Sequence, residues 1–326
     1  IARDFTQQSG VPLIRVHSST CDRLRNSTVL MLSQSRFGTD AISRRARRWQ
    51  VPVVAAVLGG GEVRGIVSSD RPTRLEIPGC GPAIVNRGQH GYYRVVYDPA
   101  SQQALSRSLG ELAAADQQGL IDDTRSLGLA GDAPLTDFIE LAEQLPPAAD
   151  PLVLRRLVAA MMQLDDYYRD LSGSARFRQY ARSRLQPLFA RLGWRARANE
   201  NSNDALLRSN LIDSLARLGD TSVLAEARRL FRESLADEQA IPADIYSVTV
   251  RAAGVGADSE TYASLRTAAL DARSGKQALL LYAMASAADP ALAAQALTDA
   301  LSPDTPVQFA SDIVSIVSAS HPDLAW

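Results

Sequence analysis

Asn86-Arg87-Gly88-Gln89-His90-Gly91-Tyr92-Tyr93-Arg94-Val95-Val96-Tyr97-Asp98 divides the chain into two kinds of pattern. Before it, short runs alternate apolar and polar residues; after it, apolar residues recur at helical spacing. Gly91 permits a tight backbone, and Tyr92, Tyr93, Val95, Val96 and Tyr97 favour a pleated, half-buried strand with both tyrosines in the core. Asp98-Pro99 then stops the strand and starts a helix, with the carboxylate as cap and proline at the first helical position. The stretch reads as a junction between two domains.

At 326 residues the chain is long enough for two buried cores. Its 46% hydrophobic and 22% charged content are those of an ordinary globular protein. A net charge of −1 provides no global field that favours nucleic acid or an anionic membrane, and neither is expected as a partner. The charge is unevenly placed: residues 1–97 sum to +8 and residues 98–326 to −9, opposite signs that suit mutual docking. The basic residues are arginine except for Lys276, a bias of the kind a GC-rich genome produces. Cys21 and Cys80 define neither a disulfide framework nor a zinc ligand set; a single bridge stays open, with two free thiols the preferred reading. No apolar run reaches the roughly 18 residues that a spanning helix needs. Ile1-Ala2-Arg3-Asp4-Phe5 has neither an initiating Met nor a signal-peptide core, which suggests a piece of a longer protein. The compartment is not legible.

Residues 2–9 read as the end of a helix stopped by Ser9-Gly10. Strands follow at Val11–His17, Thr28–Gln34, Trp49–Val57, Glu62–Val67, Arg74–Ile77 and Ala83–Asn86. Turn signals every 8–12 residues make this an antiparallel β-sandwich. Gly59-Gly60-Gly61 precedes a strand and not a helix, so it is a hairpin turn and no phosphate loop. Arg44-Arg45-Ala46-Arg47-Arg48 lacks interleaved aromatics, so it reads as a solvated hairpin arm or a dock for an acidic neighbour.

From Pro99 onward, some eleven amphipathic segments are separated by short Gly, Asp and Pro breaks. Leu207, Leu211, Leu215 and Leu218 form one stripe. Gly219 ends that helix and Asp220 or Thr221 caps the next, which buries Val223, Ala227, Leu230, Phe231 and Leu235. Short breaks force successive helices antiparallel, and the economical arrangement is a curved stack of helix pairs.

Several phrases carry a family resemblance. The junction Asn86…Gly91-Tyr92-Tyr93-Arg94-Val95-Val96-Tyr97-Asp98 resembles that of zinc aminopeptidases of the aminopeptidase N and puromycin-sensitive type. Gln8-Ser9-Gly10-Val11-Pro12-Leu13-Ile14, Ser33-Gln34-Ser35-Arg36-Phe37 and Trp49-Gln50-Val51-Pro52-Val53 are similar to that family's entry into a small sandwich domain, with Phe5 near the position of a usual Trp. In the helical part, Gly119 to Gly131, Arg191-Leu192-Gly193-Trp194, Leu206-Leu207-Arg208-Ser209 and His321-Pro322-Asp323-Leu324-Ala325-Trp326 match in order. The resemblance implies a multidomain α+β fold: residues 1–10 ending a preceding catalytic domain, a small antiparallel β-sandwich over 11–98, and an all-α helical-repeat domain over 99–326. That last domain would be an α-solenoid of HEAT or armadillo kind, cut short at its C-terminal end.

The chain itself offers no peptidase chemistry. Zinc peptidases need two histidines one helical turn apart, a general-base Glu and a third ligand, whereas His17, His90 and His321 stand singly. Asp122-Asp123 and Asp165-Asp166 are adjacent pairs whose side chains diverge on a helix, so they read as capping and solvated acids. No Gly-x-Ser-x-Gly elbow occurs. Arg94 is expected to pair with an acidic helix. No catalytic, cofactor-binding or metal residue is assigned in this chain. The resemblance implies that zinc and the general base belong to a catalytic domain preceding Ile1, and that this chain spaces and covers that site and shapes a peptide cavity. Its partners would be that catalytic domain and the peptide substrate. The alternative is a non-enzymatic helical-repeat scaffold binding a protein partner, since the family includes members that have lost their zinc.

Overall fold

The computed structural model describes residues 2–325; Ile1 and Trp326, both used above, lie outside the described residues. By compactness the chain divides into two units, residues 1–160 and 161–326.

In the first unit, α1 (Ala2–Gln7) leads into β1 (Val11–Asp22), β2 (Ser27–Phe37), β3 (Val51–Val57), β4 (Glu62–Val67), β5 (Thr73–Pro78), β6 (Ala83–Val85) and β7 (Arg94–Val96). These build two sheets, of order β5-β2-β1-β7 and β4-β3-β6. Alternation places Ile14, Val16, Leu30, Leu32 and Ile77 of one sheet and Val51, Val53, Ala55 and Val57 of the other in the interior, all at 2% exposure or less. Trp49 is buried at their margin, its amide donating to the Gln34 side-chain carbonyl at 3.3 Å. The sheets are antiparallel except where β7 joins β1 in parallel, through Leu13↔Arg94 to Arg15↔Val96. The expected all-antiparallel sandwich is therefore mixed, because β7 is reached after the chain crosses from the sheet that holds β6. Tyr97 secures this crossing: its hydroxyl accepts from the Val85 amide at 2.9 Å and donates to the Val85 carbonyl at 3.3 Å.

Cys21 and Cys80 form a disulfide with Cα atoms 5.2 Å apart, which corrects the expectation of free thiols. Strand register explains it. Cys21 sits opposite Thr28, and Ser27 sits opposite Pro78, so two residues beyond Pro78 the chain meets the end of β1. The arginine cluster lies on the loop between β2 and β3 and not on a hairpin arm. Arg44 pairs with Asp132 at 3.0 Å and donates to the Ala130 carbonyl, and Arg48 meets Asp70 at 3.1 Å.

Four helical segments complete this unit: α2 (Pro99–Arg107), α3 (Ala114–Ala130), α4 (Thr136–Gln144) and the first half of α5 (Pro151–Tyr168). Asp98 caps α2 by accepting from Ala100 and Ser101 with Pro99 at its start, as its sequence indicated. Leu13, Val96 and Leu127 form a shared core between sheet and α3, with Phe37 and Ala133 against it.

The second unit holds the rest of α5, then α6 (Ser174–Leu192), α7 (Ser202–Arg217), α8 (Thr221–Ser234), α9 (Tyr246–Val255), α10 (Ser259–Asp271), α11 (Ser274–Ala285), α12 (Pro290–Ala300), α13 (Ala310–Ser320) and α14 (Pro322–Ala325). Thirteen α-helices thus follow Pro99 among the described residues, where eleven segments were expected. The apolar periods of α4 and of the last turn, α14, are too short to be separated by pattern alone. α9 packs on α7 and α11, and α11 on α13, while α10 contacts α8, α9 and α11. Gly254 permits the α9–α11 approach: a Cβ there would lie 2.0 Å from the Ala283 carbonyl oxygen. Arg208 is wholly buried on α7, its Nε donating to the Gly193 carbonyl at 2.9 Å and its guanidinium paired with Glu200.

Candidate functional site

The junction places two aspartates of α3 against the backbone that turns from β6 to β7. Three consecutive constraints shape that turn. Asn86 adopts φ 69°, Gly88 φ 75° and Gln89 φ 56°, the left-handed region that asparagine and glycine tolerate best. The Asn86 side chain holds the loop, its Nδ2 donating to the Gly91 carbonyl at 3.0 Å and its Oδ1 accepting from the Gly91 amide at 2.8 Å. Asp116, 2% exposed, accepts from the Gly88 amide at 2.6 Å. Asp123, 8% exposed, accepts from the Val95 amide at 2.9 Å with one oxygen and from Arg94 at 2.9 Å with the other. Burial pushes the Asp123 carboxyl up to about 6, against the pull of Arg94 and the Val95 amide. Arg94 also stacks over Phe37, 5.2 Å from the ring centroid. These groups hold the backbone of the turn and of β7 and pair with one another, so the cluster is built as a joint.

Several sequence expectations change here. The stretch from Gly91 to Tyr97 is not one strand: only Arg94–Val96 pairs, after a 3-10 turn at Arg87–Gln89. Tyr93 is buried but Tyr92 is 67% exposed, because the loop before β7 turns alternate residues outward. Arg94 does pair with an acidic helix. The adjacent aspartates do diverge, yet they are ion-paired and not merely capping or solvated. Asp122 meets Arg156 on α5 while its neighbour faces the sheet. Asp165, 3% exposed, is held by Arg178 at 2.7 Å, and Asp166 by Arg169 at 2.8 Å and Arg217 at 3.0 Å.

The histidines occupy different elements. His17 sits at a bulge of β1 with Nε2 2.8 Å from the Ser33 hydroxyl. His90 is exposed in the junction. His321 donates from Nε2 to the Ala287 carbonyl at 2.9 Å. Among the described residues, no group of three or more His, Cys, Asp or Glu side chains is arranged to hold a metal ion. Among them also, no helix is long and apolar enough to cross a membrane.

A groove that was not read from the sequence lies within the second unit, between α8 and α10, with a volume of about 750 Å³. Its floor is Phe231, Leu235 and Leu280. Leu235 is 52% exposed, against the expectation that it is buried, because α8 ends at Ser234 and the side chain projects past the helix end. α10 supplies one wall of small residues, Ala263, Ser264, Thr267 and Ala268, on one helical face. The signal for it was that small-residue face, visible in the sequence only to a reader who already knew which helix stood opposite.

The ERAP1-like C-terminal domain family matches residues 83–326. Aminopeptidase M1-A of Oryza sativa subsp. japonica is 24% identical across 100% of this chain, and aminopeptidase M1 of Arabidopsis thaliana is 27% identical across 99%. The puromycin-sensitive aminopeptidase of Caenorhabditis elegans is 27% identical across 75%. The chain spans only 38%, 39% and 27% of the lengths of these three relatives. With a match that starts at β6 and runs through the junction and every later helix, the chain belongs to the ERAP1-like C-terminal domain family.

Proposed function

We propose that the chain is the non-catalytic C-terminal region of a zinc aminopeptidase that removes N-terminal residues from peptides. The observation that carries this reading is the family match over 83–326 together with alignment to aminopeptidases along the whole chain. No group among the described residues is arranged to hold zinc, and this reading assigns zinc and its general base to a catalytic region elsewhere in the parent protein. The chemistry that zinc would supply there is polarisation of the scissile carbonyl and activation of water. In this reading residues 1–10 close the catalytic domain and residues 11–98 act as a spacer. The helices from 99 onward stack as an α-solenoid that covers the active site, shapes the peptide cavity and gates substrate entry. The joint at Asp116 and Asp123 supports the spacer role, because it ties the last strand and the turn before it to the first long helix through three hydrogen bonds, from the Gly88 amide, Arg94 and the Val95 amide.

The test is release of an aminoacyl chromophore. The chain alone, with zinc added, is expected to release none, and the complete parent polypeptide is expected to release it in a chelator-sensitive way. Zinc-dependent release by the chain alone overturns the assignment of chemistry elsewhere. A complete polypeptide without a His-Glu-x-x-His helix, and without activity, replaces this reading with that of a partner-binding helical scaffold.

A further inference from the structure

We propose that the groove between α8 and α10 binds a short extended peptide segment that carries two basic side chains about four residues apart and an apolar side chain between them. The ligand class follows from how the groove is made. Along the exposed face of α10, Glu260 and Asp271 stand at its two ends, with the small residues between them. Eleven helical steps separate the two carboxylates, a distance of about 16 Å. An extended peptide advances about 3.3 Å per residue, so roughly five residues fill that length.

Between the carboxylates the floor is apolar and partly uncovered, which the exposed Leu235 makes plain. A large exposed apolar side chain inside a concave surface is where a partner's apolar residue gains most from leaving water. The charges in the groove are unequal. Lys276, the one cation among the described residues that line it, is held by Glu238 at 3.0 Å, which leaves the carboxylates of Glu260 and Asp271 as the uncompensated charge there. Asp271 stands in the last turn of α10, where the helix dipole already disfavours a negative charge. A cation brought by a ligand relieves that repulsion and pairs with the carboxylate at once. Glu260, in the first turn, sits where the dipole favours it, so its contribution is the plain attraction of an exposed acid. An acidic peptide meets repulsion at both ends.

Nothing in this inference needs zinc, a catalytic region or cleavage. Binding is read on this chain directly, so its failure leaves the proposed function standing, and the reverse also holds.

The experiment titrates the 326-residue chain by calorimetry with a peptide blocked at both ends, having arginine at positions one and five, leucine at three and alanine elsewhere. Binding that weakens with added salt is expected, and none for the counterpart with glutamate at one and five. In E260Q/D271N the affinity for the arginine peptide is expected to fall about tenfold, as the loss of two exposed pairs implies. A263W, which fills the groove from an exposed position, abolishes binding without burying the new side chain in the core. Equal binding of the basic and acidic peptides, no binding of the basic one, or an unchanged affinity in E260Q/D271N overturns the proposal.

Discussion

Asp123 holds Arg94 and the Val95 amide at the same 2.9 Å, one with each carboxylate oxygen, so a single α3 side chain terminates the β7 edge and neutralises its arginine. The two contacts do different work. The hydrogen bond from the Val95 amide satisfies a donor on the edge strand β7, and the ion pair compensates for burying a charge that the site would otherwise reject.

The first prediction concerns the pH dependence that this burial imposes. Folding raises the Asp123 carboxyl from its ordinary value of 3.8 to about 6, so the folded state holds the proton more tightly than the unfolded chain. Between those values the native state binds more protons, and stability from this group falls as pH rises from about 4 to 6. The full span corresponds to about 3 kcal/mol. Asp123→Asn keeps an acceptor and removes the titration. Thermal melts from pH 4 to 7 are expected to show wild type losing ground to Asp123→Asn across that window. A constant difference between the two proteins sinks this account.

Asp220 is expected to show the opposite slope. Burial pushes its carboxyl up, but the Ser222 hydroxyl, the Val223 and Ser222 amides and the Gln186 side chain together hold it below its usual value. Its stabilisation is therefore fully present above about pH 4 and is lost as pH falls through the lowered value. Because Asp220 caps α8 and accepts from Gln186 at 2.6 Å, Asp220→Ala is expected to cost about 1–2 kcal/mol at pH 7. Urea denaturation at pH 7 and at pH 3 checks both parts: the deficit should shrink at the lower pH.

The Cys21–Cys80 bridge closes a loop of 59 residues that contains β2 to β5. Cross-linking so long a loop restricts the unfolded chain, and removing it by Cys21→Ala/Cys80→Ala is expected to cost about 2–4 kcal/mol. Wild type in a strong reductant should melt with the double variant. If reduction and substitution both leave the melting temperature unchanged, the bridge is not formed.

Gly254→Ala tests whether propensity or packing decides in α9. Alanine is favoured over glycine in a helix by about 1 kcal/mol. Here the added methyl would meet the Ala283 backbone oxygen at 2.0 Å, and backbone cannot swing aside as a side chain can. A net loss of about 2–4 kcal/mol is expected, because separating α9 from α11 disturbs both helices. Chemical denaturation reads it directly; a stabilised Gly254→Ala would mean that the two helices are not in close contact.

Local chemistry made much of this structure legible. Asp98-Pro99 and Asp220 are caps by residue type, and the strands from Val11 to Val85 follow two-residue alternation. What was hidden depends on partners distant in sequence. No local pattern tells that Cys80 meets Cys21, because that contact is set by two separate strand registers. Tyr92 and Tyr93 look alike in sequence, and only the loop preceding β7 decides that one is in water and the other in the core. The adjacent aspartates of α3 were rightly kept apart, but their arginine partners come from β7 and α5. The groove is legible least of all, since an opening is made by what two helices fail to fill.

The parallel pairing of β7 with β1 has a consequence for how the chain is made. β1 is synthesised well before β7, yet its neighbour over Leu13–Arg15 comes from residues 94–96, and that neighbour is itself held by Asp123 on a later helix. During translation the outer rim of β1 therefore has no native companion until α3 has emerged, and an open strand rim is a template for pairing with other chains. A ribosome stalled with α3 still inside its exit tunnel would present that rim to the cell, and only release of α3 from the tunnel lets it close.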